Sequence, residues 1–532
     1  VSLTSAAPTN AVDPLIQRAT GAYYTPGDAA AWMARWLIDN GVRTILEPSS
    51  GDGSFIAAIT ALAKAEGIHT VVHAVEIDAA ALDDLDLGPD VRTINSDVHL
   101  VEPFPVDAVI GNPPFVRFRH LESDEAREAA RRAGSVAMGG VHIDAAGSIW
   151  MTVVLHAVSF LRPGGRAAFV LPADALYVNY ARPFWRFMAG RFGELRVVRC
   201  RERIFPDILQ DVVVLLADRS GSSTAAVQAE LYATRLELTA SHGGQRVAVR
   251  VADVLSSKKP FGKALLGEPF QAALHQFEQR TIRADAYVKF NIGYVDANKR
   301  FFHPGQAVRD AFELPERSLL PAAEGGRSMA GAGVATSSLS PSSIQRLWLP
   351  DPNELSDGER AYIRHGEAAG VHLGYKTSRR TPWYRVPDVR VPDLLMTVFG
   401  ELPKLMLNDR GLVGSNSLML GFWRATVDVQ SFLLAWYSSP TRLGIELAVH
   451  ALGGGVLVVV PREADAVRMP SLPTQPAPQH LLDELDAALR AKDLLAAYRV
   501  GDAYLVQSGW KWHELDQARE MADLLLAWRV DR

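Results

Sequence analysis

Asn112-Pro113-Pro114-Phe115 closes the apolar run Ala108-Val109-Ile110-Gly111, and its residue types suit chemistry on a planar exocyclic amine. The lone pair of such an amine is delocalised into its ring or carbonyl, so the nitrogen attacks only when its two hydrogens are held out of the plane. The side-chain oxygen of Asn112 and the main-chain carbonyl of Pro113 are two acceptors for those hydrogens. The paired prolines restrict the loop that carries them. Phe115 offers a flat apolar face beside the acceptors.

Three further strand ends precede that loop. Glu47-Pro48-Ser49-Ser50-Gly51-Asp52-Gly53-Ser54-Phe55 follows one short strand and opens a helix, and Gly51 and Gly53 would let the backbone approach a ligand. A dinucleotide fingerprint would place a third glycine where Ile56 stands. Glu76-Ile77-Asp78 ends the next strand with a carboxylate able to accept both hydrogens of a ribose diol. Asn95-Ser96-Asp97-Val98 ends the third, with a carboxylate able to accept from an adenine amino group. Each alone has a simpler reading: a tight turn, a solvated strand end, a helix cap at Asp97. In this order they describe a pocket for adenosine joined to a polar tail.

The elements that must hold these residues alternate. Strands are expected at 44–46, 71–75, 91–94, 108–110, 167–171 and 212–216, and helices at 26–40, 54–65 and 147–161. The fold class is therefore α/β: a Rossmann-like, mostly parallel sheet with helices on both faces, followed by a mixed α+β domain and a helical C-terminal tail. Three segments follow, at 1–240, 241–475 and 476–532. Arg219–Thr224 reads as a surface loop or linker, with the boundary between it and about residue 285. Gly325–Ser343, rich in Gly, Ala and Ser, reads as a mobile loop.

Composition bounds the rest. Of 532 residues 48% are hydrophobic, and one cysteine, Cys200, excludes an internal disulfide framework or a thiolate zinc cluster. No metal is expected. The apolar run 149–161 contains His156 and is shorter than the roughly 20 residues of a bilayer span; a cytoplasmic protein without a membrane partner is expected. The net charge is −5, yet residues 241–470 hold 27 Lys and Arg against 22 Asp and Glu, a basic excess that permits phosphate contacts.

The ordered motifs resemble the S-adenosylmethionine-dependent amino-methyltransferases of the gamma class, mainly N6-adenine DNA methyltransferases of restriction-modification systems. Gly21-Ala22-Tyr23-Tyr24-Thr25-Pro26 is similar to motif X, Glu47–Phe55 to motif I, Glu76 and Asp78 to motif II, Asp97 to motif III and Asn112–Phe115 to motif IV. Arg203–Asp207 before Val212 looks like motif VIII. Gly293 with Asn298-Lys299, Pro382-Trp383-Tyr384, Asn416-Ser417-Leu418 and Gly453-Gly454-Gly455 are similar to phrases of the family's target-recognition domain. Many relatives carry Tyr where this chain has Phe115, which keeps the stacking face and loses a hydroxyl.

The resemblance implies S-adenosylmethionine as cofactor, held by Tyr24, Thr25, Pro26, Glu47, Pro48, Ser49, Gly51, Gly53, Phe55, Glu76, Ile77, Asp97, Val98 and Asn112. It implies duplex DNA as partner, with an adenine rotated out of the stack and held between Phe115 and Phe205. Cationic and aromatic residues in expected loops, Arg117, Arg119, Lys299, Arg300, Lys376, Arg379, Arg380, Trp383, Tyr384 and Asn416, are the candidates for phosphate and base contacts. About twenty residues precede the first motif, so any restriction endonuclease is expected to be a separate protein, and the enzyme itself a monomer or weak dimer. Methylation of cytosine N4, of a ribosomal RNA guanine or of a glutamine amide, and a silent DNA-binding subunit, are the alternatives.

Overall fold

The computed structural model describes residues 25–530 apart from 39–40, 84–87, 122–123, 138, 141–142, 145–146, 203, 205–210, 257–258, 324, 452–454 and 474. They form two compact units that divide between Gly267 and Glu268. Among the described residues no helix is long and apolar enough to cross a membrane, and no cluster of His, Cys, Asp and Glu could hold a metal ion.

The first unit is built on a nine-stranded sheet. Its strands are β1 (Thr44–Glu47), β2 (Val71–Glu76), β3 (Val91–Asn95), β4 (Val106–Gly111), β5 (Leu161–Pro172), β6 (Phe192–Cys200), β7 (Val212–Ser220), β8 (Ala226–Tyr232) and β9 (Gln245–Arg250). Their order is β3-β2-β1-β4-β5-β7-β6-β8-β9. The first five pair in parallel, whereas β7 runs antiparallel to both β5 and β6. The β-branched runs make near-continuous apolar strands because both faces are covered. On one face Ile45, Val72, Ala74, Ala108, Ile110, Ala168 and Val170 meet the helices Gly27–Leu37 and Ser54–Glu66. On the other, Leu46, Val109, Phe169 and Leu171 are equally buried.

Of the two readings of Arg219–Thr224, the surface loop holds and the linker does not. β7 continues to Ser220, and β8 then pairs parallel with β6 and antiparallel with β9, so the segment is a turn inside the sheet. The polar Ser-Gly-Ser-Ser stretch marks a turn equally well, and pairing of β8 across β6 is what no local pattern reveals.

The second unit contains a four-stranded antiparallel sheet of Val288–Ile292, Leu418–Trp423, Leu394–Thr397 and Leu405–Leu407, and a three-stranded sheet of Gln345–Trp348, Leu319–Ala323 and Val413–Gly414. The Gly325–Ser343 segment, read as mobile, is packed: Met329, Ala332, Thr336 and Leu339 are buried, and Thr336 and the Ser337 amide bond to the Asp409 carboxylate. Small residues here permit close packing of an irregular chain as readily as they permit freedom.

The expected C-terminal helices are present at Gln479–Arg490, Leu494–Gln507 and Trp512–Arg529. They share one core with the four-stranded sheet, where Leu485, Ala497, Leu505 and Leu515 join Phe290, Met419, Phe432 and Trp436. Buried charges fix their register. Asp502 accepts from the Ser439 amide and hydroxyl at the start of helix Ser439–Ala448 (2.7 and 2.6 Å), and Arg529 makes a two-pronged pair with Glu446 (2.8 and 2.7 Å).

Gly501 marks a close crossing, since a Cβ there would stand 1.8 Å from the Tyr437 carbonyl oxygen. Gly501→Ala is therefore expected to destabilise the second unit by about 1–3 kcal/mol or more. Calorimetry of the full chain checks this; an unchanged unfolding midpoint would show that the helix does not pack there.

Candidate active site at the carboxyl edge of the sheet

The strand order reverses between β1 and β4, and such a reversal opens a crevice at the carboxyl ends of the strands. Parallel register brings the informative residues to that edge: Glu47 pairs with Ala74, Glu76 with Asn95, and Leu46 with Val109 two residues before Gly111. The Glu47–Phe55 loop turns into its helix through Gly51 (φ 51°) and Gly53 (φ 73°), both left-handed. A Cβ at Gly51 would meet nothing within 4 Å, so the loop leaves open space above it.

The loops after β1 and β4 are tied together. A Cβ on Gly111 would stand 3.1 Å from Pro48 Cδ, so a glycine is what allows the two strand ends to close on each other. Ser49 Oγ lies 3.4 Å from the Asn112 carbonyl, to which it donates, and Asn112 Nδ2 donates to Thr25 Oγ1 at 3.3 Å. Thr25 is buried beside Pro26, whose carbonyl accepts from Ala30 at the start of helix Gly27–Leu37. Three segments distant in sequence thus meet at one residue, Thr25 at its side-chain amide and Ser49 at its main-chain carbonyl. Pro113 is buried, and Phe115 is half-buried against the apolar core of this unit.

Glu76 holds the edge from the β2 side. Its carboxylate accepts from the amides of Gly51 (2.9 Å), Ile77 (2.9 Å) and Asp78 (3.1 Å). Ile77 is 70% exposed at the strand end, an apolar side chain facing away from any core. After β3, Asp97 Oδ1 accepts from the His99 amide (3.0 Å) and from His99 Nδ1 (2.9 Å), and these bonds hold its carboxyl below the usual carboxylate range. Val98 is buried next to it.

Glu47 is the electrostatic anomaly. It is 1% exposed, and its Oε2 has no hydrogen-bond partner among the described residues. Burial pushes its carboxyl well above the ordinary range, and the neighbouring Asp52 and Glu76 carboxylates push it further. A buried acid ringed by acids, beside a glycine loop, is a donor set that favours a cation. S-adenosylmethionine, with its sulfonium and ammonium groups, fits that donor set, and the exposed Ile77 and Asp97 edges suit its adenine.

Phe55, expected at the ligand, is instead 2% exposed within the core below the loop. Tyr24 and Phe205 lie outside the described residues. Arg117 pairs with Asp174 at 3.3 Å and lies over the Tyr180 ring, while Arg119 is exposed. Neither Asp174 nor the His99 and Thr152 pair behind Asp97 was read from the sequence, because each meets its partner only through the fold.

Within the second unit the remaining candidates converge. Asn416 donates its amide to the Tyr294 carbonyl, and Arg380 donates to the carbonyls of Val295 (2.8 Å) and Asp296 (3.1 Å). Gly293–Arg300, Arg379–Tyr384 and Ser415–Leu418 therefore form neighbouring loops. Lys299, Arg300, Lys376, Arg379 and Asn416 are exposed, with Arg379 stacked 3.8 Å over Tyr375. Trp383 and Tyr384 are half-buried against the cluster of Phe301, Trp348 and Tyr362, and Trp383 Nε1 donates to Glu367.

The raised Glu47 carboxyl gives a pH test. The folded chain keeps this proton over a range in which the unfolded chain has lost it, so the ligand-free protein loses stability as pH rises above the ordinary glutamate range. Glu47→Gln keeps the shape without the titration. The ligand-free variant is expected to unfold at higher temperature than the parent at pH 8 and to differ less at pH 5; equal differences at both would exclude a buried, unpaired acid.

Comparison with known proteins follows the division of the chain. Residues 15–182 match the model of the family N-6 DNA Methylase, and residues 258–506 match that of the C-terminal domain of type II methyltransferase M.Eco57I. The type II methyltransferase M.AccI of Acinetobacter calcoaceticus is 20% identical over 71% of this chain and 71% of its own length. M.XamI of Xanthomonas campestris pv. amaranthicola is 25% identical over 86% of this chain and 87% of its own. Among solved structures, the type IIG restriction endonuclease BpuSI aligns with 95% of this chain at 15% identity and a TM-score of 0.42, the chain spanning 65% of that protein. The N-6 DNA methylase match covers the sheet edge and the M.Eco57I match most of the second unit, and the protein is an S-adenosylmethionine-dependent DNA methyltransferase of the N6-adenine type.

Proposed function

We propose that this enzyme has the gamma-class arrangement and methylates an adenine turned out of duplex DNA within a specific site, as the modification component of a restriction-modification system. The observation that carries the proposal is Asn112, its side-chain amide bonded to Thr25 and its main-chain carbonyl to Ser49 of the glycine loop. The type II methyltransferases M.AccI and M.XamI support the restriction-modification setting. The cognate nuclease would be a separate protein, and the methyltransferase a monomer or weak dimer in the cytoplasm.

S-adenosylmethionine, when bound, supplies an electrophilic methyl group on sulfonium sulfur. Thr25-Pro26 and the Pro48-Ser49 loop would flank it, and Gly51 and Gly53 would let main chain approach it. Glu47 faces its cationic end and loses its proton there, because a cation reverses the penalty that burial imposes on the carboxylate. Three of the roughly four acceptor positions of the Glu76 carboxylate are taken by amides, which aims the remainder at the ribose hydroxyls. Ile77 packs on the adenine, with Asp97 and Val98 at its amino edge.

The bond from the Asn112 amide nitrogen to Thr25 supports a role for the amide oxygen as acceptor of one hydrogen of the substrate amine. The Pro113 carbonyl takes the other. With both hydrogens held, the nitrogen lone pair localises and points at the methyl, and positioning with fixed dipoles carries the rate. Phe115 gives the flipped base a stacking face on one side and Phe205 on the other, each contributing about 1–3 kcal/mol by analogy with base–aromatic stacking.

Arg117 and Arg119 stand beside the catalytic loop to meet the backbone. In the second unit the exposed Lys299, Arg300, Lys376, Arg379 and Asn416 contact phosphates and base edges, while Arg380, Trp383 and Tyr384 hold those loops in shape.

Asn112→Ala is expected to lower methyl transfer to plasmid DNA by roughly 10² to 10³ while leaving cofactor affinity near that of the parent. Transfer at the parental rate would remove Asn112 from the chemistry. Single-molecule sequencing of DNA from cells expressing the enzyme should report N6-methyladenine in one sequence context; N4-methylcytosine in its place would overturn the assigned base.

A further inference from the structure

Behind Asp97 stands a relay that the cofactor pocket does not by itself require. His99 is almost wholly buried, its side chain 3% exposed, whereas the Asp97 side chain is 41% exposed. One imidazole nitrogen, Nδ1, lies 2.9 Å from Asp97 Oδ1, and the other, Nε2, lies 3.0 Å from Thr152 Oγ1. Thr152 is fully buried on the helix Ile149–Ala157 and its hydroxyl is itself 3.0 Å from the Ile149 carbonyl.

Proton bookkeeping makes the arrangement directional. Asp97 is an anion, so the Nδ1 that faces it carries hydrogen. Nε2 then either accepts the Thr152 hydrogen or, in the doubly protonated ring, donates to Thr152 Oγ1. In both states a rotated ring would lose both bonds. Among the described residues both contacts to Asp97, from the His99 amide and ring, fall on Oδ1 and none on Oδ2. The carboxylate is therefore pinned by one oxygen and presents the other.

We propose that His99, seated on Thr152, is a positioning residue that locks Asp97 so that Oδ2 selects a ligand bearing an exocyclic amino hydrogen over one lacking it. The proposal rests on the assignment of Asp97 to the amino group of the cofactor's adenine. Without the lock the carboxylate must be ordered on binding, and the ordering cost appears as lost affinity for the amino-bearing ligand alone.

Calorimetry on the full chain separates the possibilities, using S-adenosylhomocysteine and its counterpart without the 6-amino group. The parent should prefer the amino ligand. His99→Ala should lose about tenfold in affinity for it, as for one charged hydrogen bond, and far less for the deamino ligand. His99→Asn, whose amide nitrogen can stand near the position of Nδ1, should recover most of the preference. In steady state His99→Ala should raise the KM for S-adenosylmethionine more than it lowers kcat. If His99→Ala binds both ligands like the parent while Asp97→Ala loses the preference, the positioning role is wrong and the Asp97 assignment stands. Equal loss for both ligands would mean a structural role only and would equally overturn the proposal. A parent that does not distinguish the ligands would overturn the Asp97 assignment itself, and the proposal with it.

Discussion

The closure of β1 on β4 at Pro48 and Gly111 is the constraint on which the rest of the site depends. The ring of Pro48 occupies the space a side chain at 111 would need, and that contact brings Ser49 within reach of the Asn112 carbonyl and Asn112 within reach of Thr25. A cofactor loop and an amine-binding loop that were merely adjacent would leave the methyl donor and the acceptor nitrogen to find each other. Locked at this point, they present a fixed geometry. Rate enhancement by positioning requires this, since small misplacements of reacting atoms are costly.

Charge is arranged around that closure to favour a cationic ligand. Glu47, Asp52 and Glu76 crowd the glycine loop, and the deepest of them has its acidity suppressed by burial and by the other two. Asp97, in contrast, is kept ionised by His99. Two carboxyl groups at one sheet edge are thus driven in opposite directions by their surroundings. The second unit uses buried charge for a different end: Asp502, Glu446 and Arg529 join the C-terminal helices to the helix Ser439–Ala448, fixing their register within a shared core.

Much of the catalytic edge was legible because each motif is local. Gly51, Gly53, Glu76, Asp97 and Asn112 each announce themselves by a few neighbours and by following an apolar run, and parallel register then carries them to the same edge. Phe55 misled because an aromatic residue one turn into a helix looks alike whether it meets a ligand or a core; only the packing of the helix on the sheet puts it at 2% exposure. Arg380, Trp383 and Tyr384 carry the composition of a nucleic-acid surface, yet the guanidinium is bound to two main-chain carbonyls and both rings pack on an aromatic cluster. The Arg219–Thr224 turn and the packed Gly325–Ser343 segment show the same ambiguity in polar and small residues.

By itself the sequence determined the α/β class and the placing of Glu47, Glu76, Asp97 and Asn112 at or just after strand ends, because these follow from residue type and short-range periodicity. Only the tertiary structure decided what those groups touch. Thr25 meets Asn112 across 87 residues, His99 meets Thr152 across 53, and β8 pairs parallel with β6 to extend the sheet. Such pairings follow from burial and register, which are properties of the whole sheet and its covering helices, and no local stretch of chain encodes them. The anomalous acidity of Glu47 is of the same kind: a glutamate is ordinary until the fold removes water from one of its oxygens.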